Sequence, residues 1–285
     1  MPDPAVQSAH HRGSSFALSF LFLPGEQRRA IERLYAFCRL LDDATDEALA
    51  PGEKKRLLEF WRRELEGCYT GHATHPVAQA LMPIIHEYGM NRTYFEELLQ
   101  GVEMDLTVLR YPDFIHLSQY CYRVAGTVGL LCLPIFGCPE EKGRDYAVAL
   151  GIAFQLTNIL RDVKDDAGRG RIYLPMEDLR HFDYSETELL SGVYNDRFAS
   201  LMRFEAERAR DYFRRAADLV RPEFRRRLIA PEIMAATYFA LLRRIESSRY
   251  NVFERHIRLS LPRKVTLALK TAVMNRTGIG GAIRA

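Results

Sequence analysis

Gly151-Ile-Ala-Phe-Gln155-Leu-Thr-Asn158-Ile-Leu-Arg161-Asp162-Val-Lys-Asp-Asp166 continues an almost wholly apolar run that begins at Ala147. At 3.6 residues per turn, Gly151, Gln155, Asn158, Asp162 and Asp166 fall on one stripe, spaced by three or four. A helix that is apolar on nearly every side belongs in the middle of a bundle. Polar groups on its inner stripe are costly to bury without partners, and two carboxylates there need cations. The stretch therefore predicts an all-α fold, with this helix central and its polar stripe turned toward an internal site.

The rest of the chain agrees. Ile31, Leu34, Tyr35, Cys38 and Leu41 recur at helical spacing, as do Leu57, Phe60, Trp61, Leu65 and Cys68, and clear strand alternation is absent. Proline and glycine punctuate the sequence at Pro24-Gly25, Pro51-Gly52, Pro83, Pro112, Pro139, Pro175, Pro222 and Pro231. Helices are expected near 14–23, 26–47, 53–70, 75–88, 92–108, 113–136, 140–166, 186–191, 196–219, 223–229, 231–248 and 262–274, with a loop and a short turn over 168–185. No compositional break marks a linker, so one helical domain over 14–274 is the simplest account. Residues 1–13 are polar and expected to be flexible, as is the tail 275–285.

Composition narrows the function classes. The 285 residues carry 40 basic and 37 acidic side chains, too balanced for a nucleic-acid binder. Cys38, Cys68, Cys121, Cys132 and Cys138 show no paired metal-ligand spacing, and most lie in apolar runs. The reading is a reduced, cytoplasmic setting. The N-terminal stretch has no signal-peptide core, and no apolar run approaches the ~20 residues needed to span a bilayer.

A second acidic stretch matches the first. In Tyr35-Ala-Phe-Cys-Arg39-Leu-Leu-Asp42-Asp43-Ala-Thr-Asp46-Glu47, Asp42 and Asp46 are four apart and share a helical face with Arg39 and Tyr35. Mg²⁺ takes hard oxygen ligands and is typically held by one or two carboxylates plus substrate phosphates. Two helices each offering an Asp-x-x-x-Asp pair suit several such ions bridging a diphosphate. Arg39, Arg161 and Arg171 are candidate forked donors to its oxygens. A single such pair is more often a solvated surface feature. Two pairs, each aligned with other polar groups on an otherwise apolar helix, favour a metal–diphosphate site.

With these residues in view, the chain resembles the squalene/phytoene synthase family from about Ser14 to about Leu269. The resemblance rests on Ser14-Ser15-Phe16, YAFCRLLDDATDE (35–47), YCYRVAGTVG (120–129) and LGIAFQLTNILRDVKDDAGRGRIYLP (150–175). It implies a single-domain helical bundle of the isoprenoid synthase type around a deep hydrophobic cavity. By resemblance, Asp42, Asp46, Asp162 and Asp166 hold the metal with help from Asn158, and Gln155 lines the same cavity. Arg39, Arg161 and Arg171 face diphosphate, while Tyr35, Tyr120, Tyr238 and Arg255 line the diphosphate and cation region. Ser15 and Phe16 match a flap near the mouth. The first motif departs from many relatives at Ala44-Thr45, where an aliphatic pair is usual, but neither position is a ligand. Ala125, Gly126 and Gly129 would let a long substrate lie close to the backbone, or let two helices pack closely.

The resemblance implies Mg²⁺-dependent head-to-head joining of two prenyl diphosphates. The stretches 202–213 and 232–264 look most like bacterial presqualene diphosphate synthases of the hopanoid pathway, which join two farnesyl diphosphates. Phytoene synthases, which join two geranylgeranyl diphosphates, share much of the pattern. Later enzymes of squalene formation are the expected partners in the pathway. No NADPH dependence is expected, because Gly278-Ile-Gly280-Gly281 follows a helix rather than a strand. Two rival classes remain: a class I terpene cyclase, disfavoured by the two paired aspartate motifs, and a non-catalytic relative using the bundle for assembly. Finally, Arg255 to Lys270 mixes basic and apolar residues. That pattern suits a helix touching the inner face of an anionic membrane, but an ordinary amphipathic helix closing the bundle is the favoured reading.

Overall fold

The computed structural model describes residues 15–46 and 50–277. Thirteen α-helices occur among them: α1 (Ser15–Phe20), α2 (Gly25–Asp46), α3 (Pro51–Thr70), α4 (Pro76–Tyr88), α5 (Arg92–Thr107), α6 (Phe114–Cys121), α7 (Thr127–Ile135), α8 (Glu140–Gly168), α9 (Met176–His181), α10 (Glu186–Leu190), α11 (Asp196–Leu219), α12 (Ile229–Ser247) and α13 (Leu261–Thr277). No strand occurs among the described residues, only one isolated bridge between Arg110 and Ile172. The expected all-α bundle is what the chain forms. The sequence segments 1–14, 47–49 and 278–285, including Ser14 of the first motif and most of the expected tail, lie outside the described residues.

Local chemistry sets most boundaries. Asn91, Asp113, Ser185 and Asn195 each accept a backbone N–H from the first turn of the helix they precede, satisfying donors the helix itself cannot. Gly71 and Gly89 end α3 and α4 in the left-handed conformation, where glycine carries no Cβ penalty.

The observed elements differ from the expected ones in four places. The helix expected over 113–136 is interrupted by a π-helical turn, Tyr122–Gly126. The segment expected at 223–229 shrinks to a 3₁₀ turn, Pro222–Phe224. The loop region 168–185 contains α9, started by Pro175 and too short to show a period. The last helix runs to Thr277, three residues past the expected domain end.

α8 is the central helix, packing along α11 and against α7, the π turn and α12. Its crossing with the π turn and α7 is antiparallel and close. A Cβ on Gly151 would lie 2.6 Å from the Ala125 carbonyl oxygen, and one on Gly129 would lie 2.8 Å from that of Ala147. Of the two readings of the small residues in YCYRVAGTVG, close helix packing therefore holds at Gly129. Ala125 and Gly129 also line the central cavity, so the substrate reading remains compatible with the same positions.

Candidate active site

A cavity of about 460 Å³ runs between α2, α5, the π turn, α7, α8 and α12. Its chemistry is graded along α8. From Asp162 back to Tyr146 the helix covers about 24 Å at 1.5 Å per residue. One end is lined by Arg39, Asp42, Asn158, Arg161, Asp162 and Asp166, whereas the other is lined by Leu133, Phe136, Tyr146 and Leu228. Both aspartate-bearing helices thus enter one end of the same apolar chamber.

The acidic end is crowded with charge. Arg161 grips Asp162 through two contacts, Nε to Oδ1 at 2.7 Å and a second from a terminal guanidinium nitrogen. Burial and the neighbouring Asp162 carboxylate push Asp166 up to about 7, while Arg169 and Arg171 oppose the shift. Asn158 buries an amide oxygen with no hydrogen-bond partner, although such groups are normally satisfied. Across the cavity, Arg39 lies 3.7 Å from Asp42 and donates to Asp43 at 2.8 Å. The donor set of carboxylates and an orphaned amide oxygen is hard-oxygen chemistry and fits Mg²⁺. No group of three His, Cys, Asp or Glu side chains among the described residues forms a closed cage.

Two aromatic groups flank this end. Phe16 from α1 lies 5.7 Å, centroid to centroid, from both Tyr35 and Tyr238, and Phe154 lies 4.5 Å from Tyr238. On the other side, Tyr120 and Tyr173 stack at 5.2 Å, with Tyr111 against both. Asp105 accepts hydrogen bonds from Tyr173 at 2.7 Å and Tyr120 at 3.1 Å. Burial and the Asp105 charge raise both phenols, so they stay neutral and act as donors.

Most sequence candidates converge. Phe16, Tyr35, Arg39, Asp42, Tyr120, Gln155, Asn158, Arg161, Asp162, Asp166, Arg171 and Tyr238 all line the cavity. Ser15 begins α1 and Asp46 ends α2, but their side chains lie outside the described part of the structure. Arg255 does not meet its expectation. It is exposed in the loop between α12 and α13 and does not line the cavity. Arg249 and Tyr250 turn the chain through left-handed backbone, Val252, Phe253 and Ile257 take the buried positions, and Lys164 ties down the Phe253 carbonyl at 2.7 Å.

Sequence reading missed Asp105, Arg169 and Tyr173, which also line the cavity. A signal existed for Asp105: Leu98, Val102 and Asp105 are spaced by four and three and all face the chamber. Arg169 and Tyr173 sit on an irregular strap with no period to read. Ile172 N donates to Leu109 O at 3.0 Å, Met176 N to Tyr111 O at 2.8 Å, and Arg110 to Gly170 O at 2.6 Å. These bonds hold the strap against the α5–α6 connection.

The likeness to known proteins covers most of the chain. A sequence profile of the squalene/phytoene synthase family matches residues 9–264. The chain belongs to the squalene/phytoene synthase family. It is 40% identical to a 15-cis-phytoene synthase of Synechocystis sp., over 88% of this chain and 78% of that protein. It is 34% identical to a presqualene diphosphate synthase of Rhodopseudomonas palustris, over 96% of this chain and 98% of that protein. Its structure is similar to that of a dehydrosqualene synthase solved with a ligand, with a TM-score of 0.85 and 29% identity over 96% of this chain and 95% of that one. Squalene/phytoene synthases are prenyltransferase-type enzymes, and this family member is one. No helix among its described residues is long and apolar enough to cross a membrane.

Proposed function

We propose that this family member joins two farnesyl diphosphates head to head into presqualene diphosphate, with Mg²⁺ bound at the acidic end of the cavity. The observation that carries the reading is the graded chamber, carboxylates and guanidiniums at one end and bulky apolar side chains at the other. Asp42, Asp162, Asp166 and the orphaned oxygen of Asn158 would hold the metal, with Asp46 completing the first motif. Bound Mg²⁺ would offset the charge of the diphosphate as it departs.

The protein's own groups have distinct tasks. Arg39, Arg161, Arg169 and Arg171 face the diphosphate oxygens, and Arg171 is itself almost fully buried. The C–O bond of the first substrate breaks, and diphosphate leaves with the electron pair. The double bond of the second substrate attacks the allylic cation. Loss of a proton closes the cyclopropane, and one diphosphate stays on the product. Phe16, Tyr35 and Tyr238 present π faces to the cationic carbons, while Tyr120 and Tyr173, oriented by Asp105, wall the opposite side. The apolar lining excludes water that would quench the cation.

Farnesyl is the preferred chain for two reasons. The presqualene diphosphate synthase matches end to end, and Phe136, Tyr146 and Leu228 close the deep end of the cavity with bulk. The 40% identity to a phytoene synthase favours geranylgeranyl diphosphate as the second reading. Purified protein incubated with Mg²⁺ and either substrate, without NADPH, separates them by mass spectrometry after phosphatase treatment. A C30 cyclopropyl alcohol from farnesyl diphosphate is the expected result. Phytoene from geranylgeranyl diphosphate would move the protein to the carotenoid branch. No product from either, with Asp42→Ala binding Mg²⁺ like the parent, would overturn the reading.

A further inference from the structure

Helix α13 is used on one face only. Ala268, Thr271 and Asn275 are buried, and the Asn275 amide donates to the Arg225 carbonyl at 2.7 Å. Leu261, Val265, Leu269 and Val273 are exposed by 67%, 36%, 55% and 62%. They recur every four residues and so form a single ridge. No other helix among the described residues exposes more than one large apolar side chain. Isolated exposed leucines are ordinary, whereas a contiguous row of them marks a contact surface.

The flank of α13 that faces α12 has the opposite character. A groove of about 610 Å³ lies there, lined by Arg243 and Arg244 of α12, Arg258 of the connecting loop, and Arg263 and Lys270 of α13. Among the described residues no carboxylate lines it, and none of these five cations forms a salt bridge to a described residue. The positive region continues toward the cavity. Lys264 is held below the ordinary lysine range by burial and by the Arg161 and Arg258 guanidiniums, and Arg161 belongs to the acidic end of the active site. α13 also packs against α1, which supplies Phe16 and Phe20 to the cavity and is followed by the exposed Leu21.

We propose that α13 and the basic groove beside it dock the protein on an anionic phospholipid bilayer, the aliphatic ridge entering the headgroup layer and the groove cations meeting lipid phosphates. An interfacial helix needs an apolar face for the acyl boundary and cations for the anionic headgroups, and α13 carries both on adjacent flanks. Charge complementarity selects this occupant over a second copy of the chain. A two-fold contact through this face brings the same cations of both copies together. A nucleic acid would use the cations but leave the ridge bare.

Flotation of the full chain with vesicles tests the proposal. Binding to mixed phosphatidylglycerol–phosphatidylcholine vesicles is expected at low salt, falling about tenfold or more on pure phosphatidylcholine or at high salt. The pairs Leu261→Glu/Leu269→Glu and Arg243→Glu/Lys270→Glu should each reduce binding about tenfold while leaving the thermal melt in place, since all four positions are at the surface. If a charge-bearing ridge disturbs folding, Leu269→Ser alone should still lower binding severalfold. The proposal is overturned by no flotation, by equal binding to both vesicle types, or by ridge and groove variants that float like the parent. A solution dimer abolished by the ridge substitutions would also overturn it, assigning the face to a second copy.

Discussion

At the residue scale, the acidic end of the cavity buries carboxylates close to one another. Asp166 and Asp162 repel each other, and burial sharpens that repulsion. Asp166→Asn should therefore lower kcat by about 10²- to 10³-fold, the usual loss when one preorganised group facing developing charge is removed. It should melt no lower than the parent, because a like-charge contact is relieved. Mg²⁺-titrated kinetics and calorimetry on the same preparation check both halves. Tyr173→Phe removes the 2.7 Å hydrogen bond to Asp105 and leaves that carboxylate short of a donor. A stability loss of about 1–3 kcal/mol is expected in urea titration, and a double-mutant cycle with Asp105→Asn should show strong coupling. Asp162, Asp166 and Asn158 could be read from the sequence because they repeat on a long helix. Tyr173 and Arg169 could not, because hydrogen bonds from a distant loop, not a local period, bring them to the cavity. Arg255 differs for the complementary reason: a motif position says nothing about which way a loop turns, and here it is exposed in the loop that follows the left-handed pair Arg249 and Tyr250.

At the element scale, α8 imposes its geometry on its neighbours through contacts that tolerate no added atom. Gly151→Ala would set a methyl 2.6 Å from the Ala125 carbonyl oxygen. The crossing must open, at about 1–3 kcal/mol, which exceeds the ~1 kcal/mol that alanine gains over glycine in a helix. Gly168→Ala, at the open end of the same helix with nothing within 4 Å, should be neutral or stabilising. Comparing the two melts separates packing from propensity. On α11, the partner of α8, Arg208 donates to Glu205 at 2.7 Å and to Asp178 of α9 at 2.9 Å, and its guanidinium stacks 4.1 Å from Phe114. Burial lifts Glu205 to about 8 against the pull of Arg208, with Asp178 adding to the rise, and the Cys121 thiol on α6 also feels this charge. Between the ordinary carboxylate range and about 8 the folded chain keeps a proton that the unfolded chain has released, so stability falls as pH rises through that window. In Glu205→Gln the slope of Tm against pH from about 5 to 8 should flatten; an unchanged slope would place its origin elsewhere.

At the scale of the whole molecule, the helical bundle was legible because amphipathic periods and proline–glycine punctuation are local signals. The chamber inside was only half legible. Stripes on α2 and α8 give its polar end, but its depth depends on how α7, α8 and α12 stack, and the π turn at Tyr122–Gly126 shifts the register in a way no period announces. The deep end is where substrate length should be decided. Phe136, Tyr146 and Leu228 meet there, and Tyr146 is held by a 3.0 Å hydrogen bond to the buried Glu232, so swinging it aside gives up that bond. Phe136 has no such tether and is the residue to shorten. Phe136→Ala should cost about 3 kcal/mol of stability and extend the cavity away from the diphosphate end without touching the groups that hold it. The ratio of geranylgeranyl to farnesyl turnover should then rise about tenfold, within the range that a changed apolar pocket supplies, with KM for farnesyl diphosphate rising more than kcat falls. If the ratio is unchanged while the variant remains folded, the chain end does not reach Phe136, and length is set nearer the mouth, where Phe16 and Phe20 enter from α1.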